Sequence, residues 1–348
     1  MKVIFNGKIL YRKITGVERY ARETLNKIDE IANTGEFILA IPESYDESIL
    51  DFHNIRVMKV KGPRDGVWWD QITLPRYAKK NCGVVASFDF TTSLLWPGIS
   101  TIHDMSFRRN KSFFANSWKQ RMVRMKLEMY CLSAKYSRLP VFTVSNFQKQ
   151  EIIELCGINA SRIFVAENSW QHFEKVGYDD SVFDDYGIRR KAYYLSLSSN
   201  TPNKNFQWVY EVAKRNPDAN FVIVGGKTSI SIDELKSLNN LKYLGYQSDE
   251  RVKSLYKDCT AFLFPSFYEG FGIPPLEALS VGAPIIVSKT SCLPEIYENS
   301  AAYIDPFDPN ISLENVKLVD PKEGKRILDK YSWKTTASKW VECLRGLE

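Results

Sequence analysis

The chain has 348 residues, 44% of them hydrophobic and 25% charged, the balance of a soluble globular protein long enough for two domain cores. The formal net charge of +6 has no RNA- or DNA-binding motif to accompany it, which argues against a nucleic-acid partner. The N-terminus leads straight into a strand-like Lys2-Val3-Ile4-Phe5 rather than a secretory signal, and no apolar segment approaches the roughly 20 residues of a membrane span, so a cytoplasmic protein is expected.

Six scattered cysteines, Cys82, Cys131, Cys156, Cys259, Cys292 and Cys343, form no C-x-x-C pair and have no histidine at ligand spacing. They read as buried or idle thiols of a reducing compartment, neither a disulfide framework nor a metal site.

Along the first half, strands are predicted at 2–5, 37–41, 55–60, 83–88, 100–103, 141–144 and 163–166, with helices at 17–31 and 117–132. This alternation indicates a parallel sheet covered on both faces. Between Phe107 and Lys126 lie seven basic residues and no acidic one, interleaved with Phe107, Phe113, Phe114 and Trp118. Such a segment suits an interfacial helix resting on an anionic leaflet; a solvated helix with its apolar side packed inward is the alternative. An acidic stretch at 173–190, with Asp179, Asp180, Asp184 and Asp185, reads as a solvated linker.

The second half restarts the pattern, with strands at 193–198, 221–225, 242–244, 261–264, 285–288 and 302–304 and helices at 204–215, 248–258 and 275–281. An amphipathic helix follows from Trp333. The fold class is therefore α/β, two doubly wound Rossmann-like domains facing across a cleft, with ligands beyond the carboxyl ends of the strands. The predicted boundaries are 1–172, a linker at 173–190, 191–332, and a terminal helix at 333–348.

The most informative stretch is 264–284, FPSFYEGFGIPPLEALSVGAP. A short strand ends at Pro265; Gly270, Phe271 and Gly272 make a turn; Ile273 and the pair Pro274-Pro275 open a helix, where a missing proline N–H is harmless. Glycines permit a close backbone approach to a ligand, and free N–H groups at a helix start attract phosphate. Glu269 and Glu277 flank the turn, where carboxylates can accept hydrogen bonds from sugar hydroxyls. The site reads as one for a sugar attached to a phosphate.

This run resembles the signature of the retaining glycosyltransferases of family 4, which have the GT-B fold. The resemblance implies that Glu269 contacts hydroxyls of the donor sugar and Glu277 holds the nucleotide ribose. The loop Ser198-Ser199-Asn200-Thr201-Pro202-Asn203-Lys204-Asn205 is similar to the family's Gly-Ser-Leu-x-Pro-Arg-Lys-Asn loop, with Lys204 matching the lysine that neutralises the donor diphosphate. It departs at Asn203 and Ser198, and Ser199 stands where many relatives carry a second cation. Tyr246, in the loop 244–250, matches the segment that reads the nucleotide base through main chain. In the first half Gly16 matches the glycine-rich loop near the donor phosphate. His103, within Thr101-Ile102-His103-Asp104, matches a histidine close to the donor sugar, and Asp104 either orients that imidazole or caps the next segment. The family's final helix crosses back to the first domain.

The implied activity is a metal-independent retaining transfer of a hexose from a nucleotide-diphosphate sugar, such as GDP-mannose, dTDP-rhamnose or a UDP-hexose, with no cofactor. Lys204, the Gly-Phe-Gly amides and the helix start meet the charge of the leaving diphosphate. The sequence contains no Asp-x-Asp for a divalent cation. The implied acceptor is a glycan or lipid-linked oligosaccharide of bacterial O-antigen, capsule or exopolysaccharide synthesis, reached at the inner face of the plasma membrane. A soluble enzyme making a small glycoside and a non-catalytic nucleotide-sugar-binding subunit are the competing readings.

Overall fold

The computed structural model describes residues 1–62, 66–114, 117–198, 201–226 and 230–347. The chain divides into two units, Met1–Asn168 with Trp333–Glu348, and Ser169–Ser332.

In the first unit β1 (Lys2–Asn6), α1 (Gly16–Ile31), β2 (Phe37–Pro42), β3 (Arg56–Val60), α2 (Leu74–Lys80) and β4 (Gly83–Ala86) give a parallel sheet ordered β3-β2-β1-β4. Next come β5 (Ser100–Ile102), α3 (Ser106–Arg109), α4 (Trp118–Tyr136), β6 (Val141–Thr143), α5 (Asn146–Cys156) and β7 (Ile163–Val165), whose strands form a parallel sheet ordered β5-β6-β7. A parallel bridge between Ala86 and Ile99 joins the two sheets edge to edge, and the Thr101 N–H reaches the Asp89 carbonyl at 3.2 Å. Val3, Ile4 and Phe5 are all buried because a central parallel strand is covered on both faces.

The C-terminal helix Trp333–Arg345 packs in this same unit. Its Trp340 ring stacks on Phe142 at 3.6 Å, and the indole N–H donates to the Tyr20 hydroxyl at 2.8 Å. Arg345 pairs with Glu36 at 2.6 Å, fixing the last turn.

One sequence expectation is corrected here. Cys131 on α4 and Cys156 at the end of α5 are joined in a disulfide, not idle thiols. The residues stand 25 apart, and only the packing of α4 beside α5 brings their Cα atoms to 6.0 Å. Of the remaining four, Cys82 is exposed, Cys259 and Cys292 are buried and Cys343 is half-buried. The basic run 107–126 is also less uniform than it reads. Arg108 pairs with Glu128 and Arg109 with Glu151 and Glu154, so two of its cations are neutralised within the unit.

Helix α4 has an unusual outer face. Trp118, Met122, Met125, Met129, Leu132 and Tyr136 recur every three to four residues and all face solvent, from Met129 at 40% exposed to Tyr136 at 78%. Tyr130, Cys131 and Ala134 supply the buried face. By helical periodicity Lys119 and Lys126 flank the exposed stripe on one side, Arg121 and Arg124 on the other. Among the described residues no helix is long and apolar enough to cross a membrane.

The second unit contains α6 (Ser181–Tyr186), β8 (Tyr194–Ser198), α7 (Phe206–Arg215), β9 (Phe221–Gly225), α8 (Ile232–Lys236), β10 (Leu241–Tyr243) and α9 (Asp249–Lys257). After these come β11 (Ala261–Phe264), α10 (Ile273–Ser280), β12 (Ile285–Ser288), α11 (Leu293–Tyr297), β13 (Ala302–Ile304) and α12 (Lys325–Lys330). The six strands are parallel in the order β10-β9-β8-β11-β12-β13. From the first strand outward this is the 3-2-1-4-5-6 order of a Rossmann sheet, and the first unit follows it too.

The acidic segment read as a solvated linker belongs to the second unit. Val182 and Phe183 of α6 are buried. Arg251 of α9 binds Asp179 at 3.0 Å and Asp185 at 2.6 Å, and Arg190 joins Asp180 to Asp258. Lys253 donates to the carbonyls of Phe173 and Val176 at 2.7 and 2.6 Å. Arg251 and Lys253, which tie the segment down, lie far along the chain, so its local composition looks solvated.

Candidate active site

In the second unit the carboxyl ends of β8 and β11 carry the two loops that matter. Strand β11 ends at Phe264, and the backbone from Pro265 onward is tied to the loop after β8. The Phe267 N–H reaches the Asn203 carbonyl at 2.8 Å, and the Asn203 amide reaches Tyr268 O at 3.2 Å. Asn205 adopts a left-handed backbone, φ 52°, and its side chain donates to Pro265 O and Pro306 O at 3.0 and 2.8 Å. Asparagine tolerates that conformation better than most residues, and here its amide also stitches three loops together.

This clamp sets Lys204 against Glu269. The ammonium lies 2.7 Å from Oε1, with side chains 25% and 10% exposed, and sits 4.8 Å from the centre of the Phe264 ring. Glu269 is held by its main chain: its N–H donates to Ser291 Oγ at 3.1 Å, and its carbonyl accepts from Cys292 Sγ at 3.3 Å. Burial pushes the Cys292 thiol pKa well up, so it stays a neutral donor. A cation that can meet phosphate and a carboxylate that can accept from hydroxyls thus share one loop pair.

The turn behind them differs from its sequence reading. Gly272 has φ +88°, and a Cβ there meets Leu293 Cδ2 at 2.9 Å, so packing and backbone demand this glycine before any ligand does. The Tyr297 hydroxyl donates to the Gly272 carbonyl. Phe271 points inward, its ring edge-on to Tyr331 at 5.2 Å, and is a core residue. Ile273 is buried as well. Pro274 and Pro275 have no N–H, which leaves the amides of Phe271, Gly272 and Ile273 as the donors for an anion at this helix start.

Glu277 lies one turn into α10. Its Oε1 accepts from His172 Nε2 at 2.8 Å, and the His172 side chain is 2% exposed. His172 follows a short segment anchored to the unit by Ser169 Oγ and the Gln171 amide, which both donate to the Tyr331 carbonyl. Tyr246 is exposed on the loop after β10, where Gly225 N–H donates to Gly245 O at 2.8 Å. Ser199 lies outside the described residues.

In the first unit His103 immediately follows β5. Its Nε2 donates to the Phe88 carbonyl at 2.7 Å, and its ring stands edge-on to Tyr20 at 4.9 Å. Burial is the largest influence on the imidazole and holds its pKa below 6.5, against the Phe88 carbonyl and the carboxylates of Asp104, Asp89 and Glu18. The ring is therefore neutral at pH 7, with Nδ1 left as an acceptor. Asp104 accepts from Ser106 N–H at 2.8 Å and from its hydroxyl, capping the next segment. Gly16 opens α1 behind Thr15, whose N–H donates to Glu18 at 3.2 Å, and no atom crowds the place of its missing Cβ. The glycine there answers no local steric demand.

Sequence reasoning overlooked His172, Asn205 and Ser291, since each acts through a partner distant in the chain. It also overlooked Asp89, although the strand-end rule that selected His103 applies equally to a carboxylate just after β4.

Each of the two units is a Rossmann-like parallel sheet, the fold of the GT-B class, and the second presents a lysine–glutamate pair and a glycine turn at its strand ends. Residues 180–317 match the family described as glycosyl transferases group 1. It is 26% identical over 344 residues to O-antigen chain mannosyltransferase B of Escherichia coli, covering 88% of this chain and 87% of that protein. It is 26% identical over 339 residues to O-antigen chain mannosyltransferase RfbU of Salmonella typhimurium, covering 91% of each. Among solved structures, Anabaena Alr3699/HepE in complex with UDP superposes with a TM-score of 0.71 at 15% identity over 100% of both chains. Lipopolysaccharide outer core galactosyltransferase WaaB superposes at 0.68 and 15% identity over 99% of each.

Proposed function

We propose that the chain transfers a hexose, with retention of anomeric configuration, from a nucleotide-diphosphate sugar to a lipid-linked glycan acceptor of bacterial surface-polysaccharide synthesis. The observation that carries this reading is the Lys204–Glu269 pair beside the Gly270–Gly272 turn. In the resting protein the carboxylate holds the ammonium; a bound diphosphate competes for that cation and releases Glu269 to accept from sugar hydroxyls. Glu277, oriented by His172, takes the ribose diol, and the loop around Tyr246 takes the base. The amides from Phe271 to Ile273 add donors along the pyrophosphate. These groups are fixed before the ligand arrives, which is electrostatic preorganisation toward the charge that develops on the leaving diphosphate. The leaving phosphate oxygen accepts the acceptor's proton, so neither glutamate acts as a nucleophile, and the reaction needs neither metal nor cofactor.

GDP-mannose is the first donor to test, because the two similar full-length relatives named above are mannosyltransferases; dTDP-rhamnose and UDP-hexoses follow. The outward apolar stripe of α4, flanked by Lys119, Arg121, Arg124 and Lys126, supports a peripheral seat on an anionic leaflet. A thermal-shift screen of these nucleotide sugars tests the donor assignment, with raised Tm expected for one nucleotide class. Anomeric analysis of the product tests retention, and an inverted linkage refutes it.

A further inference from the structure

Lys253 of α9 has only 6% of its surface exposed, and among the described residues no carboxylate pairs with it. Its ammonium has three N–H donors, and each finds a main-chain carbonyl: Val176 at 2.6 Å, Phe173 at 2.7 Å and Glu174 at 3.3 Å. The rings of Phe173 and Tyr178 flank it at 5.3 and 5.0 Å. An apolar side chain of the same length fills such a place without the cost of desolvating a charge, so packing alone does not account for a lysine. What the cation adds is a fixed course for the backbone from 173 to 176.

That backbone follows directly on His172. Before the imidazole, Ser169 Oγ and the Gln171 amide donate to the Tyr331 carbonyl at 2.7 and 3.0 Å. After it, Lys253 gathers the carbonyls at the end of the single helical turn Gln171–Phe173. The ring is thus held from both sides, 2.8 Å from Glu277 Oε1. We propose that Lys253 is a positioning residue for the nucleotide's ribose: through the 173–176 backbone it sets His172, and through His172 the angle at which Glu277 meets the diol. The proposal rests on the donor reading above and extends its ribose contact to a side chain enclosed within the second unit.

The test is calorimetry of GDP, UDP and dTDP, and of their 2′,3′-dideoxy analogues, against the unaltered chain, Lys253→Met, His172→Ala and the double variant. Methionine keeps the unbranched stem and removes the donors. The unaltered chain is expected to prefer the hydroxylated form of the nucleotide it binds about tenfold or more. Lys253→Met should cut that preference to about threefold or less, with affinity for the dideoxy analogue within about twofold of the unaltered chain. Beside His172→Ala the lysine substitution should add less than about twofold, because the relay is already cut. Hydrogen exchange on the unaltered chain decides the matter if Lys253→Met does not fold: amides 173–176 should gain protection with the hydroxylated nucleotide and not with its dideoxy analogue.

An unchanged preference in Lys253→Met overturns the proposal. So does an equal loss for both ligands or an additive loss beside His172→Ala, the marks of a merely structural role. Equal protection by the two ligands overturns it too. If the unaltered chain binds both ligands alike, the ribose assignment of Glu277 falls and this proposal with it, while the diphosphate reading stands. Absence of nucleotide affinity in the unaltered chain overturns the donor reading itself.

Discussion

His172 Nε2 lies 2.8 Å from Glu277 Oε1, a contact across 105 residues that ties the start of the second unit to the helix after the glycine turn. The imidazole is almost wholly enclosed, so one carboxylate oxygen is committed to it and the rest of the carboxylate is aimed by that bond. His172→Ala removes the donor and is expected to lower nucleotide affinity on the order of tenfold, with a smaller effect on kcat. His172→Gln, whose amide nitrogen reaches about as far as Nε2, restores most of it. Calorimetry with both variants checks this; equal losses in the two contradict it.

Gly272→Ala tests the turn. A φ of +88° is strained for any Cβ, and Leu293 Cδ2 is 2.9 Å from where that atom must go. A destabilisation of about 1–3 kcal/mol is expected from the backbone and the crowding together. Denaturant unfolding measures it, with Gly16→Ala as the control, since nothing crowds that position.

His103 gives a pH dependence whose sign is fixed. Its folded pKa is depressed below 6.5, mainly by burial. Below 6.5 the unfolded chain takes up a proton that the folded chain resists. The stability from keeping this ring neutral is thus complete above pH 6.5 and is lost as pH falls through the lower, folded pKa. NMR titration of the His103 ring should show a midpoint under 6.5. His103→Gln should flatten the fall in unfolding free energy across that acidic window.

The legibility of this chain follows the range of its interactions. Among the described residues all thirteen strands lie where apolar runs and turn residues place them, because a buried parallel strand is written in consecutive residues. Lys204, Glu269 and the glycine turn sit in two short loops and Glu277 one turn into the helix that follows, each within a stretch the sequence alone singles out. What escaped was partnership: the His172 bond to Glu277, the stitching by Asn205 and the disulfide of Cys131 with Cys156 each join residues that only the folded sheet brings together. The segment 173–190 was misread for the same reason, since Arg251 and Lys253 arrive from a later helix.

The α4 stripe carries a separable prediction. Met125 and Met129 face solvent, so Met125→Glu with Met129→Glu should change folding stability by no more than about 0.5 kcal/mol each. Co-sedimentation with phosphatidylglycerol vesicles should fall sharply, whereas nucleotide affinity should not move. Undiminished vesicle binding refutes the membrane seat.

The central claim is that Lys204 and Glu269 together hold the activated sugar. Titration calorimetry of GDP-mannose, dTDP-rhamnose and the UDP-hexoses against the unaltered chain, Lys204→Met and Glu269→Gln tests it most directly. The account predicts that one nucleotide sugar binds the unaltered chain. Lys204→Met should then weaken both that sugar and its free nucleoside diphosphate, while Glu269→Gln should weaken the sugar far more than the free diphosphate. Binding of the nucleotide sugar that neither substitution alters contradicts it.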